Sequence, residues 1–70
     1  MMPLTFTNVG ETAVIKKVRG NDEARRFLGS LGFVEGGEIE IISENMGNLI
    51  VNVKGSRVAI SKEMACKIIV

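Results

Sequence analysis

The side chains that usually carry chemistry are nearly absent from this sequence. It has no histidine and a single cysteine, Cys66, so the His/Cys sets that hold zinc or iron cannot be assembled. Carboxylates are scattered. Glu38 and Glu40 alternate with Ile39 and Ile41, which places them on the solvated face of a predicted strand with no base or soft ligand beside them. Lys62 and Lys67 flank Cys66, a setting that can suit a reactive thiol. Met64, Ala65, Ile68 and Ile69 around it call instead for a small apolar filler, and no histidine is available as a base. No catalytic, cofactor or metal role is expected.

Two further constellations invite a ligand. Gly29, Gly32, Gly36 and Gly37 are closely spaced, but a phosphate-cradling loop needs glycines that lead into a helix, and these follow a helix start. Lys16, Lys17, Arg19, Arg25 and Arg26 form the densest cluster of charge. A small RNA-binding β-barrel is therefore the rival reading from another class, with salt-dependent affinity as its signature. Such a barrel stacks bases on aromatic side chains, and this sequence has three Phe and no Trp or Tyr. No nucleic acid is expected as a partner, and the same shortage argues against a Pro-rich-peptide groove.

The element that must position these groups is Gly20 to Gly37, the one stretch with helical periodicity. Ala24, Phe27, Leu28 and Leu31 fall at the i, i+3, i+4, i+7 spacing of a single buried face, which commits Phe27 to the core. Asn21 or Asp22 can cap the start, Asp22 and Glu23 suit the positive end of the helix dipole, and Gly32 can end the helix. Arg26 and Gly29 then lie furthest from the apolar face. A glycine inside a helix costs about 1 kcal/mol against alanine, and here it bares backbone between Ser30 and the two arginines. Arg25, Arg26, Gly29 and Ser30 are the candidate partner-binding residues.

Around the helix the pattern is β. Leu4–Thr7 is short and β-favouring, with a turn at 8–10; Thr12–Val18 reads as the first main strand. Glu35-Gly36-Gly37 is a turn with two residues free to take positive φ. Glu38–Ser43 alternates, Asn45-Met46-Gly47-Asn48 turns, and Leu49, Val51 and Val53 alternate again. Gly55-Ser56 reads as a two-residue hairpin connection leading to Val58 and Ile60. Ser61 can cap one helical turn over Lys62–Cys66, and Ile68–Val70 closes the chain. The expected fold is mainly β: a small, SH3-like, partly open barrel of about five strands, with one inserted α-helix and a short helical turn before the last strand.

Size and composition agree with a binding module. Residues 1–70 read as a single domain with 46% hydrophobic residues and a net charge of +1, enough to fill a narrow core but not to surround a deep substrate pocket. Near-neutral charge gives no general pull towards nucleic acid or anionic membrane. No signal peptide, spanning stretch or cysteine pair is visible, so a cytoplasmic location is expected. Exposed strand edges in an open barrel leave room for a homo-oligomer.

The run Arg25-Arg26-Phe27-Leu28-Gly29-Ser30-Leu31-Gly32-Phe33-Val34-Glu35-Gly36 resembles the arginine-leucine helix, Leu-Gly-aliphatic step and glycine turn of FeoA-type proteins. The similarity runs on through Ile39, Ile41, Gly47, Val51, Val53 and Gly55, then Arg57-Val58-Ala59-Ile60, Ala65 and Ile68, with Leu4 and Gly10 fitting the opening. Val9 and Glu35 stand where the family often has proline, which predicts looser turns on the same fold. The resemblance implies an SH3-like protein of bacterial ferrous iron uptake that is not itself an iron carrier. It implies docking on the cytosolic G-protein part of the membrane transporter FeoB, with an effect on that partner's nucleotide hydrolysis as one possible means of regulation. The fold is also similar to the C-terminal domain of metal-dependent repressors of the diphtheria-toxin-repressor type. With no DNA-binding helices ahead of it here, a stand-alone module is expected.

Overall fold

The computed structural model describes residues 2–70 and places six strands, two helices and one 3-10 turn. In chain order these are a 3-10 turn at Leu4–Phe6, β1 (Thr12–Val14), β2 (Lys17–Val18), α1 (Asp22–Ser30), β3 (Glu38–Asn45), β4 (Asn48–Val53), β5 (Ser56–Ser61), α2 (Lys62–Ala65) and β6 (Ile68–Ile69). Two sheets share the work. Four antiparallel strands run in the order β1-β3-β4-β5, and β2 pairs with β6. Residues 2 and 3 extend the smaller sheet through a Pro3–Ile69 bridge and two Met2–Val70 backbone hydrogen bonds.

The inner face of the larger sheet follows from simple alternation. Ile39 faces Val53 and Ile41 faces Val51 across β3 and β4, and Leu49 faces Ile60 across β4 and β5. All six are buried and join Leu4, Ile15, Leu28, Phe33, Ala65 and Ile68 in one core. A register shift between Ile41 and Ser43 bends β3, as expected of a strand that must curl to cover a small barrel.

The predicted single strand over 12–18 is two strands in two sheets. The chain crosses at Ile15, whose N–H donates to Gly37 and whose carbonyl accepts from Gly36, while the Lys16 N–H donates to Ile69. Ile15 is buried at that corner, which is why Ala13, Val14 and Ile15 break the alternation. Leu4–Phe6 is a 3-10 turn that buries Leu4, because the chain must leave the Pro3–Ile69 bridge and plug the end of the core.

Both hairpins turn on two residues with positive φ. Met46 (46°) and Gly47 (84°) join β3 to β4, and Lys54 (50°) and Gly55 (76°) join β4 to β5. The second turn is thus Lys54-Gly55, one residue earlier than Gly55-Ser56, because Val53 pairs with Ser56. Positive φ at both central positions matches the right-handed twist of the strands and disfavours most side chains. Met46 is 94% exposed, so nothing repays its strain. Met46→Asn is expected to raise stability by about 0.5–1 kcal/mol, read as a higher urea midpoint with an unchanged slope.

Candidate functional site

The helix carrying the candidate residues is fixed at both ends by local chemistry. The Asn21 side chain accepts from the Ala24 N–H at 2.8 Å, so Asn21 and not Asp22 is the cap. Asp22 and Glu23 occupy the first turn. At the other end the Phe33 N–H donates to the Leu28 carbonyl and the Gly32 N–H to Gly29. Gly32 takes φ 105° between them, the backbone of a Schellman stop. Leu28 and Phe33, the two residues such a stop brings together, are both buried.

That stop also fixes which line of α1 faces the core. Leu28 is the helix's one buried side chain; Ala24 and Leu31 are half-buried. Phe27, predicted to lie in the core, is 51% exposed. With successive residues roughly 100° apart, a helix centred on Leu28 turns Phe27 out to one flank. The barrel is too narrow to cover that flank. Phe27 instead borders a shallow groove of about 420 Å³ with Asn21, Glu23, Ala24 and, from α2, Met64.

Arg25, Arg26, Gly29 and Ser30 all lie on the exterior of α1. Arg25 and Gly29 share the flank opposite Phe27, while Arg26 and Ser30 run along the outermost line. Arg25 is held by Asp22, Nη2 to Oδ1 at 2.9 Å, whereas Arg26 takes part in neither of the two ion pairs among the described residues. The Ser30 hydroxyl donates to the Phe27 carbonyl at 2.6 Å and so has only acceptor capacity left. A Cβ built on Gly29 would meet nothing within 4 Å. Packing within this chain therefore does not require glycine there.

The remaining chemistry-bearing residues do not converge. Cys66 is exposed rather than buried as a filler, its Sγ donating to the Glu63 carbonyl at 2.9 Å. It sits at the end of α2, where it caps the helix and its side chain points off the core. Lys17 lies on β2 with Arg19 just after it, whereas Arg25 and Arg26 lie on α1, so the basic cluster of the sequence is divided between two elements. Among the described residues no group of three or more His, Cys, Asp or Glu side chains is placed to hold a metal ion. Among them, too, no helix is long and apolar enough to cross a membrane.

The family model for the FeoA domain matches residues 2–70. The chain belongs to the FeoA domain family. A curated relative from Methanocaldococcus jannaschii, provisionally named Fe(2+) transport protein A, is 36% identical over 70 residues, covering 100% of this chain and 85% of the relative. Among solved structures, a FeoA described as an iron uptake regulatory protein superposes with a TM-score of 0.87 at 33% identity, over 96% of this chain and 89% of its own. The zinc-complexed FeoA of Stenotrophomonas maltophilia, described as a prokaryotic SH3 domain protein, gives 0.86 at 28% identity over 99% and 88%. The expected FeoA-type, SH3-like, mainly β fold is thus the observed one, with six strands in place of about five. A manganese-dependent repressor aligns with a TM-score of 0.86 at 16% identity, a likeness of fold alone. For a FeoA-domain chain the informative departure from sequence expectation is Phe27. The Leu28–Phe33 stop, had it set the helix orientation, would have placed Phe27 off the buried line.

Proposed function

We propose that this chain is a cytoplasmic accessory protein of ferrous iron uptake, acting by docking on the cytosolic G-protein part of an FeoB-type membrane transporter. It has no catalytic role of its own. Iron is the partner's cargo and not a ligand of this domain. Membership of the family of Fe(2+) transport protein A supports the system. The single observation that carries the docking surface is the open space at half-buried Gly29, where a Cβ would meet nothing within 4 Å, with exposed Arg25, Arg26 and Ser30 beside it. A bare helical step lets a second surface approach closely, and an unpaired arginine beside it offers a fork of donors for a partner carboxylate.

The test is direct binding between this protein and the soluble G-domain region of the FeoB-type transporter encoded in the same genome. Titration calorimetry with the partner nucleotide-free, GDP-bound and loaded with a non-hydrolysable GTP analogue is expected to give saturable one-to-one binding in at least one state. Absence of heat and of co-migration in all three states at about 100 µM would remove the proposal. Partner GTP turnover in the presence of saturating protein then reports whether docking regulates hydrolysis.

A further inference from the structure

The smaller sheet, whose β2 strand immediately precedes α1 in the chain, presents a second surface. Lys17 and Ile69 are register partners, and Pro3 bridges Ile69 from the other side, so these three side chains share the sheet's outer face. Val18 and Ile68, the neighbouring pair, turn to the core. With Met2 and Arg19 the outer residues line a groove of about 250 Å³. Its floor is apolar: Ile69 is 7% exposed, and Met2 at the rim is 44% exposed. The Arg19 N–H donates to the Lys67 carbonyl at 2.6 Å, bringing a further cation alongside; the Lys67 stem crosses Gly20, with Cδ 3.1 Å from where a Cβ would stand.

The charge here is uncompensated. Among the described residues the two ion pairs are Arg25–Asp22 and Lys62–Glu44, and neither involves Lys16, Lys17, Arg19 or Lys67. No Asp or Glu lines the groove. Lys17 and Arg19 line the groove with no carboxylate among its lining residues, and Lys16 and Lys67 adjoin them along the backbone, so this edge of the sheet is locally positive in a chain of net charge +1. Such a field speeds and orients association with an acidic partner.

We propose that this groove receives an extended acidic peptide segment in which carboxylates alternate with apolar side chains. An extended strand repeats its side-chain direction every second residue, so one apolar side chain can rest on Ile69 and Pro3 while flanking carboxylates meet Lys17 and Arg19. The groove is small beside the roughly 300–1,000 Å³ typical of whole-ligand pockets, which suits side chains of a segment rather than a small molecule. No aromatic lines it, so it lacks the platforms on which single-stranded RNA stacks. Ile69 at its floor is recessed, whereas an anionic membrane is met by apolar groups that project.

The probe is a fluorescein-labelled twelve-residue peptide of alternating Glu and Leu, followed by anisotropy and by amide chemical-shift mapping of this protein. Saturable binding is expected, with shifts centred on Lys17, Val18, Arg19 and Ile69 and weakening severalfold as salt rises from about 50 to 300 mM. Lys17→Glu with Arg19→Glu is expected to weaken it at least tenfold, Lys17→Arg with Arg19→Lys to restore it, and Arg57→Glu on β5 to leave it unchanged. Should the double reversal unfold, Lys17→Gln with Arg19→Gln takes its place. Shifts confined to another surface, equal binding by the folded charge variants, or capture of phosphatidylserine vesicles or oligouridylate but not of the peptide would each overturn the proposal. None of these outcomes bears on docking through α1, whose candidate residues do not line this groove.

Discussion

Leu28→Ala is expected to lower stability by about 2–5 kcal/mol, and Phe27→Ala by less than about 1 kcal/mol. The two residues are adjacent, both large and apolar, and both on the face that periodicity assigns to the core. Their environments differ entirely. Leu28 is fully buried, and Phe27 is half in solvent. Removing the Leu28 side chain leaves a cavity between the helix and Phe33, which the Schellman stop holds in place, so collapse around the void is restricted. Native stability is about 0.05–0.15 kcal/mol per residue, about 3.5–10.5 kcal/mol for a domain of this size, so a loss of this size removes a large fraction of the stability of a 70-residue domain. Urea unfolding followed by circular dichroism separates the cases. Equal losses in the two variants would mean that α1 sits rotated by roughly a quarter turn from the orientation described.

Phe27 also shows where a sequence stops being legible. Periodicity reports which residues could share a helix face; it does not report how wide a face the rest of the protein can cover. Here the helix seals the end of a barrel through Leu28 with help from Ala24 and Leu31, and an apolar residue at the edge of the stripe is left outside. The strand over 12–18 failed for a related reason. Residues Ala13 to Lys16 satisfy β propensity on both sides of the crossover, and the switch of partners at Ile15 is set by Gly36, Gly37 and Ile69, distant in the chain. Features fixed by short-range chemistry were readable: the Asn21 and Ser61 caps, the Gly32 stop, the turn at Met46-Gly47 and the alternating burial of β4 all follow from residues within a few positions. The candidate face was half readable. Its exposure followed from helix geometry, but the pairing of Arg25 with Asp22, the internal bond of the Ser30 hydroxyl and the opening at Gly29 needed coordinates.

Those same details rank the residues of the proposed docking face and make it separable from a merely tolerated surface. Arg26→Glu is expected to weaken binding to the transporter's G-domain region by roughly 10–100-fold, about 1.4–2.8 kcal/mol, because its guanidinium is free to meet a partner. Arg25→Glu is expected to cost less binding, since Arg25 already holds Asp22. Reversing both is expected to abolish binding at micromolar concentration while the domain stays folded. Gly29→Ala supplies the decisive arm. Nothing in this chain opposes a methyl group there, and alanine is the better helix former, so the variant is expected to be more stable by about 0.5–1 kcal/mol. In a domain of this size that is a rise of several degrees in Tm. If a partner packs on the bare backbone, the same methyl group intrudes on the interface and binding falls as stability rises. No general weakening of the fold produces that opposite movement. A Gly29→Ala protein that is stabilised and binds unchanged, together with an Arg26→Glu protein that binds unchanged, would move the docking face to the other flank of α1. There Phe27 and Met64 border the groove between the two helices, and Phe27→Ala would then become the variant that loses binding without losing its fold.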